Sequence, residues 1–507
     1  MYYLKRSITY VRLVKNSFHI RSASTLNNET FDDTNLKSWQ EIPGPPSFPL
    51  IGQLLTFLPG GMLYNKNEEL PEILYKTYGP IVKLQGIFGS NPMIFLYDPE
   101  TAINIFRNEN WAPNRPGFQS LEYFRKVYSR RDSPSDASTG LLTEHGESWR
   151  KFRTVVNPVM LQPKTIKLYR EALIEVAEDM IKRMKTKRND KNMIDGKFDI
   201  EMNLWALESI GIVALGRRLN CFDSNLPEDS PVRKLIQSVG DVLNIAEKLD
   251  FQPSLWRYFP TRTFKEAMKC YDEHVKLTKY FINEAIEKLK LKEMNKNNEE
   301  KGVLEKLLDI DPEIAVIMAS DMLLAGVDTT ANSVIGALYL LAKNQEKQNK
   351  LREEILSKKE KRPYLRACIK ETIRLMPVVG GNLRKTSKEY NALGYKIPKD
   401  MFLIVANQYM CSMEEHFPRP TEFIPERWIV DKNDPLYYGN AHPFVYGPFG
   451  YGVRSCIGRR IAELEIDTFV SKVIENFHVE WFGEPLKTKA ATLNYLIGPY
   501  NFIFKDV

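Results

Sequence analysis

The longest uninterrupted apolar pattern begins behind Asp311-Pro312-Glu313 and continues to about Lys343. It is apolar on nearly every face, which predicts a buried helix. At ~1.5 Å of rise per residue that helix is long enough to cross a domain. Its start is well marked, with Asp as N-cap, Pro at the first position and Glu near the positive end of the dipole. A further helix is predicted behind Gly458, where Ile461, Ala462, Leu464, Ile466 and Phe469 make an amphipathic pattern. Helical periodicity dominates beyond about residue 140. Before it, Ile81–Leu84 and Met93–Leu96 are short runs of β-formers bounded by Gly and Pro. Pro43-Gly44-Pro45-Pro46 and Pro49 make a stiff, non-helical segment ahead of them. The charge runs Lys182–Lys197 and Lys288–Lys301 read as solvated loops or helix ends. The expected fold class is mainly α with small β-sheets.

Two places break the apolar logic. In the middle of the long helix stands Ala325-Gly326-Val327-Asp328-Thr329-Thr330. A buried acid and two hydroxyls cost several kcal/mol if unpaired, so they need a function or local partners. Gly326 permits a close approach to the backbone. The second place is Phe449-Gly450-Tyr451-Gly452-Val453-Arg454-Ser455-Cys456-Ile457-Gly458. Here a cysteine stands where a glycine-rich loop enters a helix, and free N–H groups and the helix dipole favour a thiolate there. Such a thiolate is a nucleophile or an axial ligand to haem iron; the plain alternative is a buried structural cysteine. A dinucleotide fingerprint fails because Ser455 occupies the third glycine position. A zinc site fails because the cysteines and histidines show no short paired spacing.

Composition narrows the class. The chain has 507 residues, 43% hydrophobic and 27% charged, as in globular proteins. Five scattered cysteines imply a reducing compartment without structural disulfides. The net charge of +7 suits an acidic protein partner or a membrane surface and is no nucleic-acid footprint. Residues 1–28 carry Lys5, Arg6, Arg12, Lys15 and Arg21, several serines and no acid, the composition of a mitochondrial transit peptide. No run there approaches the ~18 apolar residues of a membrane anchor. The aromatic stretch Phe251–Phe259, flanked by basic residues, is suited either to a membrane interface or to ordinary packing.

The spacing F-x-x-G-x-R-x-C-x-G around Cys456 matches the haem-ligand loop of the cytochrome P-450 superfamily, and A-G-x-[DE]-T-T at 325–330 matches that family's oxygen-binding segment. Glu371-x-x-Arg374, Phe423-Ile424-Pro425-Glu426-Arg427-Trp428 and Trp149-x-x-x-Arg153 match further motifs in the family's order. The chain therefore resembles this family over most of residues 40–507. Trp111–Pro116 and Gly146–Trp149 look like insect mitochondrial members. One departure is a shorter link between Leu351–Glu354 and Pro363–Leu365.

The resemblance implies one large catalytic domain, residues 51–507, with a long central helix over the haem. A proline-rich linker over 31–50 and a transit peptide over 1–30 would precede it. It implies haem b held by Cys456 as the proximal iron ligand, with Phe449 packed over the sulfur and Gly458 closing the loop. Trp149, Arg153, Arg384 and Arg454 would serve the propionates, and Ala325 and Gly326 would face the haem. Thr329 would hydrogen-bond dioxygen, and Asp328 would help feed it protons. Glu371, Arg374 and Arg427 would form a buried network bracing the cysteine loop. Arg366, Lys370, Arg459 and Arg460 would dock an adrenodoxin-like ferredoxin.

The expectation is thus a haem-thiolate monooxygenase on the matrix side of the mitochondrial inner membrane, with peripheral membrane contact. Electrons would come from NADPH through a ferredoxin reductase and ferredoxin. An apolar substrate would be drawn from foreign compounds, with an ecdysteroid-like compound as the other candidate. Its pocket would use residues 111–141, Met318–Thr329, Val378–Asn382 and Leu493–Tyr500. The alternative is a non-catalytic haem-thiolate binding or sensor protein, or an inactive variant, on account of the short link after Glu354.

Overall fold

Asp311 caps the central helix as its sequence predicts. The carboxylate accepts the backbone N–H groups of Glu313 at 2.8 Å and Ile314 at 3.3 Å, and the helix runs Pro312–Lys343. The structure, a computed structural model, describes residues 36–49, 51–86, 91–109, 111–131, 138–194, 198–223, 227, 229–293, 300–491 and 493–507. The expected transit peptide lies outside the described residues. Among the described residues the central helix is the one long and apolar enough to cross a membrane, and most of it is buried inside the protein.

The helix Phe198–Leu215, also buried on almost every face, lies along the central helix. Gly326 is what lets them approach: a Cβ there would stand 2.7 Å from Ile210 Cγ1. The close approach expected of Gly326 is therefore made by a neighbouring helix. The helix Arg459–Asn476, which follows the cysteine loop, packs against the central helix and against Arg170–Lys187. Trp205 stacks on Phe469 at 4.3 Å inside this core.

Four short strands form a sheet at one side. Ile81–Leu84 pairs antiparallel with Met93–Leu96, as the β-forming runs predict. Met93–Leu96 pairs parallel with Phe402–Val405, which pairs antiparallel with Asn382–Lys385. A hairpin formed by Lys487–Ala490 with Asn494–Ile497, and an antiparallel pair of Phe477–Trp481 with Phe502–Asp506 that encloses it in the chain, lie near the C-terminus. The proline-rich segment packs on the body: Lys83 N–H donates to the Pro43 carbonyl at 2.8 Å, and the Gln53 side-chain amide donates to the Pro45 carbonyl at 2.7 Å.

The short link after Glu354 is closed by Glu354 itself. Its two carboxylate oxygens accept the N–H groups of Tyr364 and Leu365, each at 2.8 Å, at the start of the helix Pro363–Leu375. These are orphan donors of a helix N-terminus taken by an anion. Arg362 adds a 2.7 Å bond to Ser471 Oγ. Charge-assisted hydrogen bonds of this kind contribute about 1.5–3 kcal/mol. Glu354→Ala is expected to lower unfolding stability by roughly 2 kcal/mol, read as a fall in urea midpoint at unchanged slope.

Candidate active site

The cysteine loop is built by its glycines and one backbone bond. Cys456 N–H donates to the Phe449 carbonyl at 2.7 Å, closing the loop. Gly450 and Gly452 have φ of +74° and +64°, the left-handed region that side chains resist. A Cβ on Gly450 would also stand 3.0 Å from Asn382 Oδ1. The N–H groups of Gly458 and Arg459 are directed at the Cys456 sulfur, and Arg153 and Arg115 add positive charge. The donors expected of the loop are present, but the balance differs from expectation. Burial is the largest influence and raises the Cys456 thiol above its usual value against them. Its accessible surface faces a cavity, not bulk water.

That cavity has a volume of about 1560 Å³, more than the ~300–1,000 Å³ of an ordinary ligand pocket. Cys456, Phe449 and Gly458 line one side, Ala325, Asp328 and Thr329 another, and Val378–Asn382 with Leu493 and Asn494 a third. The segments named from sequence thus meet around one space.

At one end of it, guanidinium groups crowd together. Arg153 donates to the Ser455 carbonyl at 2.9 Å, and its Nε has no hydrogen-bond partner among the described residues. Arg384 donates to the carbonyls of Leu383 and Tyr451 and pairs with Glu109 at 2.8 Å. Arg454 lies 3.9 Å from the centre of the Trp149 ring. Its donors go to the carbonyls of Pro113, Leu141 and Glu144, so it ties two chain segments to the loop. Burial, together with Arg115, Arg384 and Arg153, pulls Arg454 down to about 8. Arg153 is pulled down to about 10, first by burial. Sequence reasoning gave no role to Arg115 or Glu109. Arg115 lies within Trp111–Pro116, a stretch named only for its resemblance to mitochondrial members and as pocket lining, and Glu109 has no periodic or motif signal.

Glu109 is the carboxylate that acts on this group of cations, and it balances only part of their charge. A dianionic ligand fits the remainder. Beside this group the cavity offers the Cys456 thiol with N–H groups around it, and apolar sides from Ile373, Ile461 and Ala325. A flat apolar ring carrying two carboxylates and one metal position for sulfur matches this donor set. The residues present therefore fit haem.

On the central helix, Thr329 Oγ1 donates to the Ala325 carbonyl at 2.8 Å and Ser333 Oγ to the Thr329 carbonyl at 2.8 Å, both within the helix. Asp328 looks outward instead and accepts the Tyr495 hydroxyl at 3.2 Å. Burial raises the Asp328 carboxyl above the usual range, and the Tyr495 bond opposes that rise. The Thr330 hydroxyl meets Glu465 at 3.4 Å. Glu465 is fully buried with Oε1 unpartnered among the described residues, and burial pushes it up to about 8.

Glu371, Arg374 and Arg427 form the buried network expected. Glu371 accepts from Arg374 at 2.8 and 3.0 Å, from Arg427 at 3.0 Å and from the Trp428 indole at 2.9 Å. The arginines spend their other donors on the carbonyls of Cys411, Pro418, Pro420 and Glu422. The network therefore holds the 411–424 segment directly. It reaches the cysteine loop through Trp428, which packs on Tyr446 at 4.6 Å.

Arg366, Arg459 and Arg460 are exposed and Lys370 is half-buried. Arg459 is bonded to Glu463 at 2.8 Å. Lys370 lies over the rings of Trp428 and Tyr438 and feels the charges of Arg459 and Arg366.

Comparison with known proteins bears on this site. The family model "Cytochrome P450" matches residues 42–505. The chain is similar to cytochrome P450 CYP12A2 of Musca domestica, 37% identical over 96% of this chain and 94% of that protein. It is also similar to the probable cytochrome P450 12a5, mitochondrial, of Drosophila melanogaster, 36% identical over 93% of this chain and 91% of that protein. Among solved structures, the retinoic acid-bound cyanobacterial CYP120A1 shares the fold with a TM-score of 0.69 at 18% identity, covering 93% of this chain and 100% of that one.

The buried Glu465 sets a pH dependence. Its folded carboxyl holds a proton up to about 8, against the ordinary ~4.3 of an unfolded glutamate. The folded state therefore binds more protons across that window. This contribution is complete below the unfolded value and is lost as pH rises to about 8, on the order of 5 kcal/mol in total. Glu465→Gln is expected to flatten the decline in Tm between pH 5 and 8, measured by calorimetry across that range.

Proposed function

The chain belongs to the cytochrome P450 family and is a haem-dependent monooxygenase, and from that premise we propose that it works in mitochondria, drawing electrons from an adrenodoxin-like ferredoxin. Its substrate is an apolar small molecule. The observation that carries the reading is the convergence of Cys456, the arginine group and the Asp328–Thr329 pair on one cavity.

Haem b, held through Cys456, supplies the oxygen activation and one-electron chemistry when bound. The chain's own groups do the rest. Arg115, Arg153 and Arg384 would hold the two carboxylates of the ring, and a planar guanidinium suits that task. Arg454 and the two glycines keep the sulfur in position. Thr329 presents a hydroxyl to the cavity from a rotamer tied to the Ala325 carbonyl. Asp328, whose carboxyl burial has raised, holds and releases a proton at its Oδ atoms, as a general acid in an enclosed site does.

The mitochondrial reading is supported by the relative named mitochondrial and by the acid-free basic N-terminal segment. Placement on the matrix side of the inner membrane follows from that reading, together with exposed Phe251, Leu255, Tyr258 and Phe259 as the membrane contact. Trp256, in the same loop, packs inward on Phe264 at 5.5 Å, so the loop has both an anchored and an exposed side. Exposed Arg366, Arg459 and Arg460, with Lys370 beside them, form the ferredoxin face. The mainly apolar lining of the cavity suits apolar foreign compounds, with ecdysteroid-like molecules as the rival class.

The test is a carbon monoxide difference spectrum followed by turnover. The chain without residues 1–30 is expected to give the far red-shifted Soret band of thiolate ligation, and Cys456→Ser to lose it. With ferredoxin, its reductase and NADPH, a panel of xenobiotics and ecdysteroid precursors is expected to show turnover of the former. Turnover of one steroid precursor alone would reverse the substrate class, and a thiolate spectrum without ferredoxin-dependent turnover would leave a binding protein. Asp328→Asn is expected to lower product formation by about 10²-fold, with the spectrum unchanged.

A further inference from the structure

The C-terminal hairpin is fastened to the middle of the central helix through consecutive residues. Leu496 N–H donates to Asn332 Oδ1 at 2.9 Å, and the Tyr495 hydroxyl donates to Asp328 Oδ2 at 3.2 Å. Asn332 returns to the same turn, its Nδ2 donating to the Asp328 carbonyl at 2.8 Å. Both the backbone and the side chain of Asp328 are thereby held from one side. Asp328 is part of the cavity wall, whereas Tyr495 stands behind it. The phenol touches the acid without reaching a substrate.

The electrostatics give that bond its weight. Burial favours the neutral form of Asp328, and the group that opposes it is the Tyr495 phenol, with no cation among the described residues acting on the carboxyl. From the helix above, Glu247 adds negative charge felt by Tyr495. On its own helix Asp328 has Thr329 and Thr330 beside it, whose hydroxyls are committed to Ala325 and Glu465. An anion buried without a cation depends on its hydrogen-bond donors. One phenol thus controls both where the carboxyl points and how readily it ionises.

We propose that Tyr495 is the positioning residue of the proton donor: its hydroxyl fixes the Asp328 carboxyl at the cavity wall and stabilises the anion left after the proton has gone. This rests on the reading of Asp328 as that donor. In the productive reaction O2, two electrons, two protons and the substrate give hydroxylated product and water. When proton delivery is poorly placed, the same electrons and protons leave as hydrogen peroxide.

The test uses the haem-loaded full chain with ferredoxin, its reductase and NADPH, in four forms: wild type, Y495F, D328N and the double variant. Y495F is expected to keep the carbon monoxide spectrum and the substrate Kd while product per NADPH falls about threefold to tenfold and peroxide rises. Because Tyr495 acts through Asp328, the double variant is expected to match D328N alone. Infrared difference spectra give a readout apart from turnover. The protonated-carboxyl band that D328N removes is expected to persist to higher pH in Y495F, since the donor to the anion is gone. Tyr495→His keeps a ring donor and is expected to couple better than Y495F.

Losses that add in the double variant, an unmoved infrared titration, or equal loss with His and Phe would reduce Tyr495 to a fastener of the hairpin. The same reduction follows if D328N uncouples turnover and Y495F does not. Normal coupling in D328N would instead remove the underlying reading of Asp328, and the role of Tyr495 with it.

Discussion

The concentration of positive charge at one end of the cavity is the constraint on which the site's architecture depends. Burial and then the neighbouring guanidinium groups pull Arg115, Arg153 and Arg454 down, in surroundings where a charge costs several kcal/mol unless compensated. Glu109 offsets one of them through Arg384. The protein stabilises the rest with backbone: carbonyls of Pro113, Leu141, Glu144, Leu383, Tyr451 and Ser455 each accept from this group. Those six carbonyls come from four separate stretches of chain. A requirement to hold a dianion has thereby become a set of bonds joining the loops around the cavity, and the loop that carries Cys456 is one of them.

A second charged cluster does related work on a different footing. Glu371, Arg374 and Arg427 are almost fully buried, and every bond they make ends on another buried group or a carbonyl of the 411–424 segment. Such clusters are weak evidence for stability, because well-packed apolar residues often replace them at no cost. What they provide here is a fixed geometry for an irregular stretch without helix or strand to define it. Trp428 and Tyr446 then transmit that geometry by packing to the cysteine loop.

Much of this was legible from the sequence. The cap and length of the central helix and the two strands Ile81–Leu84 and Met93–Leu96 follow from local pattern, and Cys456, Asp328 and Thr329 at the cavity from motifs of the family the chain resembles. Pairings between distant segments do not. Met93–Leu96 finds Phe402–Val405 across roughly three hundred residues, and no local signal announces it. Arg115, Glu109 and Tyr495 were missed for a similar reason: each is a lone polar residue whose meaning lies in a partner far along the chain. Gly326 was recognised as a point of close approach, yet the group that approaches, Ile210, belongs to packing and has no chemical signature. The thiol of Cys456 shows the limit most clearly. Its favourable N–H donors can be read from the glycines, while the burial that outweighs them is a property of the assembled core.

The polar residues of the central helix divide by whether their side chains can donate, and that division explains how the helix stays continuous. Thr329, Asn332 and Ser333 are short enough to return to carbonyls four residues back, so they satisfy themselves without interrupting it. The carboxylates cannot, since they are acceptors only and a helix interior offers no free N–H. Each must find a donor elsewhere: Asp321 takes Arg125 at 2.7 Å, and Asp328 takes Tyr495. The Thr330 hydroxyl meets Glu465. One helix is thus joined by polar contacts to the segment before the cavity, to the C-terminal hairpin and to the helix that follows the cysteine. Acids placed in an apolar core for chemistry also fix the positions of the elements that must surround it.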